Sequence, residues 1–331
     1  MRVCLLVSGS ARPDLALALE SAVVASEPPP GRWEVAIACD WRAVAHLWEI
    51  DARRRCSHLV TLEHRSLAPE RPERLPALLT LMLPLDYLVT SRWLERAVAD
   101  VRPGARTWRV PVARRPVAVE PPAPLADEPL RVFGADGNAP AGAVGVDSPR
   151  SADVMIDLGA PSDPFAAPVS PIAALLEAFA AGATAVAVPT EGRDELVVHG
   201  ENGLLVAPAD VPGALSEVAA LAADRERLAA LRAGALATAA AAPDPLTAGA
   251  QVLAVLERVL EADEPSGADP GETMRGALAE AAKLSAYESA RADELREWAR
   301  RLDARDAELR DSAGGGLIAA LRRRASGHRV S

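Results

Sequence analysis

Aromatic side chains are scarce in this sequence: six Trp, three Phe and two Tyr in 331 residues. The apolar half of the chain is rich in alanine instead, which favours helix but fills little volume, so the sequence predicts a helix-rich α/β protein with modest cores. Cysteine is scarce too, and Cys4, Cys39 and Cys56 have neither metal-ligand spacing nor a disulfide framework, which fits a reducing compartment. Cys4 and Cys39 sit in strand-like apolar runs and read as buried free thiols. No apolar run approaches the ~18 residues of a membrane span. The opening Met1–Ser8 is too short for the hydrophobic core of a signal and reads as a first buried strand. The expected location is therefore cytoplasmic, with peripheral attachment to the inner membrane face as the variant. Basic charge is also short, 36 Lys and Arg against 46 Asp and Glu for a net charge of −10, and the chain lacks the footprint of a general nucleic-acid binder. No nucleophilic triad, metal cluster or complete glycine-rich cofactor fingerprint is present.

What is there is an alternation. Short apolar runs at Val3–Val7, Val35–Cys39, His58–Leu62 and Tyr87–Thr90 are separated by helix-compatible stretches at Asp14–Ser26, Trp41–Ala52, Arg74–Leu83 and Ser91–Asp100. That order predicts a parallel sheet covered on both faces, with ligands at the carboxyl ends of its strands. Residues 1–110 form this first lobe. Residues 111–129 carry six prolines (Pro111, Pro116, Pro121, Pro122, Pro124 and Pro129) and read as a semi-rigid linker. A second α/β lobe is expected over 130–262, with strands at Leu130–Gly134, Val154–Leu158, Thr184–Val188 and Leu204–Val206. Helices are expected at Pro171–Ala181 and from Pro212 to about Ala262. After a linker at 263–272 comes a charged helix, 273–311, with Leu295, Leu302 and Leu309 at heptad spacing. It fits a short coiled coil, and hence a homodimer, or a solvated single helix. Residues 312–331 combine a glycine hinge with a basic tail.

The pieces Leu176-Glu177-Ala178-Phe179-Ala180-Ala181-Gly182, Ala185-Val186-Ala187-Val188, Asp194-Glu195-Leu196-Val197 and Gly200-Glu201-Asn202-Gly203-Leu204-Leu205-Val206 follow one another in order. This set resembles the donor-binding half of the family-4 glycosyltransferases, whose GT-B fold has two facing Rossmann-like lobes. Glu34–Trp41 and Leu85–Leu94 resemble a subgroup acting in bacterial polysaccharide assembly, so the likeness covers most of residues 1–260. It implies an enzyme moving a sugar from a nucleotide-diphosphate sugar to a glycan or lipid-linked acceptor with retention of configuration. The nucleotide sugar is a substrate, and no cofactor or metal is called for. By this resemblance Glu177 binds the nucleotide ribose. The backbone of Ser170, Pro171, Ile172 and Ala173, opening a helix whose free N–H groups suit an anion, cradles the diphosphate. Taken without the resemblance, Glu177 is a helix acid of the ordinary solvated kind. Glu195, with Arg193 beside it, is expected to line the cleft. His64, after the third strand, is the one candidate for contact at the reacting sugar; as a lone rim histidine it equally reads as surface. Gly9, Asp40 and Ser91 are rim candidates, Ser91 being first of all a helix N-cap.

The sequence departs from the family in ways that bear on activity. The family has a second glutamate eight residues before the ribose-binding one, where this chain has Val169. It also carries an Arg and a Lys after the first strand of the donor lobe, and the stretch Gly134–Gly142 here has no basic residue. Neutralising a departing diphosphate is a large electrostatic demand, for which Arg193 or Arg131 are the compensating candidates. The region between Gly142 and Val154 is short, as is the acceptor lobe. The rival expectation is a non-catalytic glycosyltransferase-like scaffold that binds a partner through 273–311. At the chain's end Arg322, Arg323 and Arg324 follow an apolar segment and are expected to touch an anionic membrane surface at about 1 kcal/mol each, unless the tail is simply disordered.

Overall fold

A computed structural model describes residues 1–7, 15–40, 42–59, 80–81, 83–114, 128–134, 139–140, 142–158, 170–190, 192–208 and 210–265. The expected coiled coil, glycine hinge and basic tail lie outside the described residues, as do Gly9, His64, Val169 and most of the proline-rich linker. Among the described residues, no helix is long and apolar enough to cross a membrane.

Two parallel sheets organise the chain, as the strand–helix alternation predicts. The first holds β1 (Val3–Leu6), β2 (Val23–Ala25), β3 (Arg32–Ala38), β4 (Asp51–Leu59), β5 (Asp86–Val89) and β6 (Thr107–Arg109), in the order β2-β1-β3-β4-β5-β6. The second holds β7 (Leu130–Phe133), β8 (Ala143–Gly145), β9 (Val154–Asp157), β10 (Thr184–Ala187) and β11 (Gly203–Leu205), in the order β11-β10-β9-β7-β8. Strand order reverses between β1 and β3 and again between β7 and β9, and crevices at such switch points are where open α/β sheets bind ligands. The helices are α1 (Leu15–Ala18), α2 (Arg92–Val101), α3 (Pro171–Ala180), α4 (Val211–Ala223), α5 (Arg225–Ala241) and α6 (Pro245–Glu261).

Three local assignments differ from the sequence expectation. The helix expected at Asp14–Ser26 is the single turn α1 followed by edge strand β2, whose Val23 and Val24 are exposed. Trp41–Ala52 contains a 3-10 helix over Ala43–Glu49, and β4 already begins at Asp51. Strands β6 and β8, three residues each, carry too little apolar periodicity to stand out.

The larger difference concerns α6. It belongs to the second lobe in sequence, yet Ala248, Val252, Val255, Leu256 and Val259 are buried in the core under the first sheet, with Leu5, Val35, Ile37 and Leu88. The packing is close: a Cβ on Gly249 would lie 2.2 Å from the carbonyl oxygen of Ala18, so only glycine fits there. The far end of α6 is gripped by arginines. Arg53 donates to the Leu260 carbonyl at 3.3 Å, Arg54 to Asp263 at 3.2 Å and to Ala262, and Arg106 to Asp263 at 2.6 Å. The last carbonyls of a helix lack internal partners and carry the negative end of its dipole, so these cations satisfy both needs. Behind them Asp86 is fully buried. It accepts from Trp108 Nε1 at 2.8 Å and from Arg106, with Arg54 Nε at 3.9 Å.

All three cysteines are buried free thiols, as expected of Cys4 and Cys39. Burial pushes the Cys4 thiol up to about 11 and holds Cys39 and Cys56 well above the usual thiol range.

Removing Asp86 leaves the buried Arg54 and the partly buried Arg106 without their carboxylate, and breaking a buried ion pair in this way costs about 3 kcal/mol or more. Asp86→Ala is expected to lower the unfolding free energy by that amount, seen as a lower urea midpoint with an unchanged slope by circular dichroism, and to speed amide exchange at the end of α6.

Candidate functional site

The second-lobe site is built around α3. β9 ends at Asp157, and Ser170 caps α3: its Oγ accepts the Ile172 N–H at 3.2 Å. Pro171 at the first helical position has no N–H to satisfy, and the Ser170 carbonyl takes the Ala174 N–H at 3.1 Å. Ala173 is thus the first-turn residue whose N–H the cap does not use. The helix runs back from the rim, and Glu177 lies along it about 10 Å from Ser170 at 1.5 Å per residue.

The Glu177 carboxylate is not a loosely solvated acid. Its side chain is 17% exposed, and Arg150 Nε donates to its Oε1 at 2.6 Å. Arg150 stands on a short 3-10 turn, Pro149–Ser151, whose cap Ser148 accepts the Arg150 N–H at 3.2 Å. That turn precedes β9, so Arg150 approaches Glu177 from the amino end of the sheet, opposite the helix N-terminus. The Arg150 side chain is 50% exposed, and its two Nη groups donate to no protein group among the described residues. Sequence reasoning missed Arg150. It falls in a stretch that reads as Gly/Pro/Ala-rich connection, and its 27-residue separation from Glu177 leaves no local pattern to find.

The two compensating cations are already engaged. Arg193 is 5% exposed and makes a two-pronged pair with Asp157, Nε to Oδ2 at 2.8 Å and Nη2 to Oδ1 at 2.9 Å, with Nη1 on the Thr190 carbonyl at 3.3 Å. It ties the loop after β10 to the end of β9. Arg131 lies at the far end of the sheet, on Asp153 (Nε to Oδ2 3.0 Å, Nη2 to Oδ1 2.8 Å), where Arg232 adds Nη1 to Oδ1 at 3.0 Å. Burial works to raise the Asp153 carboxyl; the hydrogen bonds from Arg131 outweigh it and hold the group below the usual carboxylate range. In the motif Gly200-Glu201-Asn202-Gly203, Asn202 turns inward. It accepts the Val198 N–H at 2.7 Å and donates to the Leu196 carbonyl at 2.9 Å and to Thr238 at 2.8 Å, so this signature residue secures a turn.

Glu195 is expected to line the cleft and instead spans it. Its Oε1 accepts the backbone N–H groups of Arg92 at 2.6 Å and Trp93 at 3.3 Å, and its Oε2 accepts from Arg109. A second-lobe carboxylate therefore caps the first-lobe helix α2, where a negative charge is favoured. Ser91 is the N-cap that its position predicts, taking the Leu94 N–H at 3.2 Å. The backbones meet at the same point. Gly192 has φ +85°, and a Cβ there would lie 2.6 Å from Ser91 Cβ, so both conformation and space demand glycine.

On the first-lobe rim, Asp40 accepts the N–H groups of Arg42 at 2.9 Å and Ala43 at 3.0 Å, opening the 3-10 helix after β3. Near the carboxyl ends of β4 and β5, Ser57 Oγ, His58 Nδ1 and Thr90 Oγ1 are buried without a hydrogen-bond partner among the described residues. Their one sequence signal is polarity at the close of strands otherwise apolar there. Burial pushes the His58 imidazole down to about 4 from its ordinary 6.5. Below pH 6.5 the unfolded chain therefore takes up a proton that the folded chain refuses, and stability falls as pH drops from about 6.5 towards 4. Urea titrations across that range are expected to show this slope in the native sequence and a shallower one in His58→Leu.

Comparison with known proteins bears on the fold. No protein-family model matches the sequence, and no curated protein matches it. Among solved structures, HepE of Anabaena in complex with UDP-glucose superposes with a TM-score of 0.59 at 14% identity, over 78% of this chain and 100% of that one. Sucrose-phosphate synthase from Thermosynechococcus elongatus gives a TM-score of 0.60 at 12% identity, over 80% of this chain and 100% of that one. The architecture implied by the family resemblance, two Rossmann-like α/β lobes of the GT-B kind, is the architecture of this chain.

Proposed function

We propose that the chain is a glycosyltransferase that takes a sugar from a nucleoside-diphosphate sugar, with retention of configuration, and passes it to a glycan or lipid-linked acceptor. The observation that carries this reading is the Glu177 carboxylate, steadied by Arg150 at 2.6 Å and set along α3 behind its capped N-terminus. A ribose diol on Glu177 leaves the diphosphate to extend towards Ser170 and Ala173, where the positive end of the helix dipole lies. The β7–β9 switch point beside it is the crevice where such a sheet binds nucleotides. The fold shared with HepE, crystallised with UDP-glucose, supports the same donor class. Glu195 acts in this reading by fixing the lobes around the cleft, and Asp40 and Ser91 by shaping its first-lobe rim.

One observation favours the rival reading, a glycosyltransferase-like scaffold without turnover. Arg193 and Arg131 are held by Asp157 and Asp153, so neither is at hand to neutralise a departing diphosphate. The two readings part on nucleotide binding and on turnover.

Calorimetric titration with UDP, GDP and their sugar conjugates tests the proposal. One nucleotide is expected to bind, and Glu177→Ala to weaken it about tenfold or more, the scale of a lost hydrogen bond to a charged group. Donor consumption, followed as released nucleoside diphosphate, separates enzyme from scaffold. A folded native chain that binds none of these ligands contradicts the enzyme reading and leaves the scaffold.

A further inference from the structure

The geometry points to Arg150 as the residue that selects the base of the nucleotide, accepting bases that carry a carbonyl, uracil or guanine, over adenine. This rests on the reading above that Glu177 holds the ribose.

The argument begins with the order of groups along α3. Ser170 and the helix N-terminus stand at the rim, Glu177 follows about 10 Å along the axis, and Arg150 meets Glu177 from the opposite end of β9. In an extended nucleotide with its ribose on Glu177 and its phosphates towards the helix N-terminus, the base lies away from that N-terminus, on the side of Arg150. The guanidinium is oriented by its Nε bond to Glu177 at 2.6 Å, and its backbone is fixed by the Ser148 cap at 3.2 Å. With the side chain half-exposed and both Nη groups without a partner among the described residues, it presents a pair of donors beside Glu177, at the edge of the proposed ribose site.

Arginine offers donors only. Uracil and guanine carry a carbonyl oxygen where adenine carries an amino group. A keto oxygen therefore accepts from Arg150, whereas the adenine amino group in its place sets donor against donor. A charged donor left unpaired in this way discriminates by about tenfold or more. The same bond to Glu177 gives Arg150 a positioning effect on the ribose, and that effect is blind to the base. The two contributions separate on this difference.

The test is calorimetric affinity for UDP, GDP and ADP in the native chain, Arg150→Gln and Arg150→Lys, with thermal unfolding as a check on folding. The native chain is expected to bind UDP or GDP at least about tenfold more tightly than ADP. Arg150→Gln should bring the ratio close to one, and Arg150→Lys, a point charge without the planar fork, should restore part of it. If Arg150→Gln weakens all three nucleotides alike and keeps the ratio, Arg150 only steadies Glu177 and the inference is overturned. Equal binding of ADP by the native chain overturns it as well. Binding of no nucleotide by the native chain is a different failure: it removes the proposed donor site itself, and this inference with it.

Discussion

Taking a carboxylate out of water costs several kcal/mol unless a cation goes with it, and this chain buries Asp86 and Asp153, each among arginines. The arrangement of the molecule follows from those pairs. Asp86 orients Arg54 and Arg106, which hold the last carbonyls of α6 and so bring the helix that ends the second lobe back under the first sheet. Asp153 joins the start of β7, the start of β9 and helix α5 at the base of the second sheet. Asp157 and Arg193 repeat the device at the rim, and Glu195 carries it between lobes to α2 and Arg109.

The same pairing decides what remains for a ligand. A chain of net charge −10 has few cations to place, and along the second sheet Arg131, Arg193 and Arg232 are each engaged by a carboxylate that fixes the fold. Arg150 differs. Its partner is Glu177, the acid proposed to hold the ribose, and its Nη groups have no partner among the described residues. Charge at this site thus resides on a residue that the family resemblance does not indicate, while the positions where that resemblance places basic residues are empty of them.

How far this was legible varied with the range of the interaction. The buried strands β1, β3, β5, β9 and β10 announce themselves as short apolar runs, and α3 by its Ser-Pro opening, because those signals are local. Strand β4 was legible only at its end. Its first half, Asp51-Ala52-Arg53-Arg54-Arg55, is charged because it serves as the seat for the end of α6, a partner over 200 residues away. The apolar stripe of α6 foretells burial but not against which sheet. Glu177 is singled out by its neighbours in sequence, whereas the Arg150 contact and the interlobe contacts of Glu195 join residues 27 and 103 apart, which no periodicity encodes.

The account turns on a nucleotide lying along α3 between the helix N-terminus and Arg150. Hydrogen–deuterium exchange of the whole chain, with and without saturating UDP, tests this most directly. Slowed exchange concentrated in residues 148–152 and 171–178, with the first sheet little changed, is the predicted result. Unchanged exchange in both segments, or protection confined to the first sheet, would contradict it.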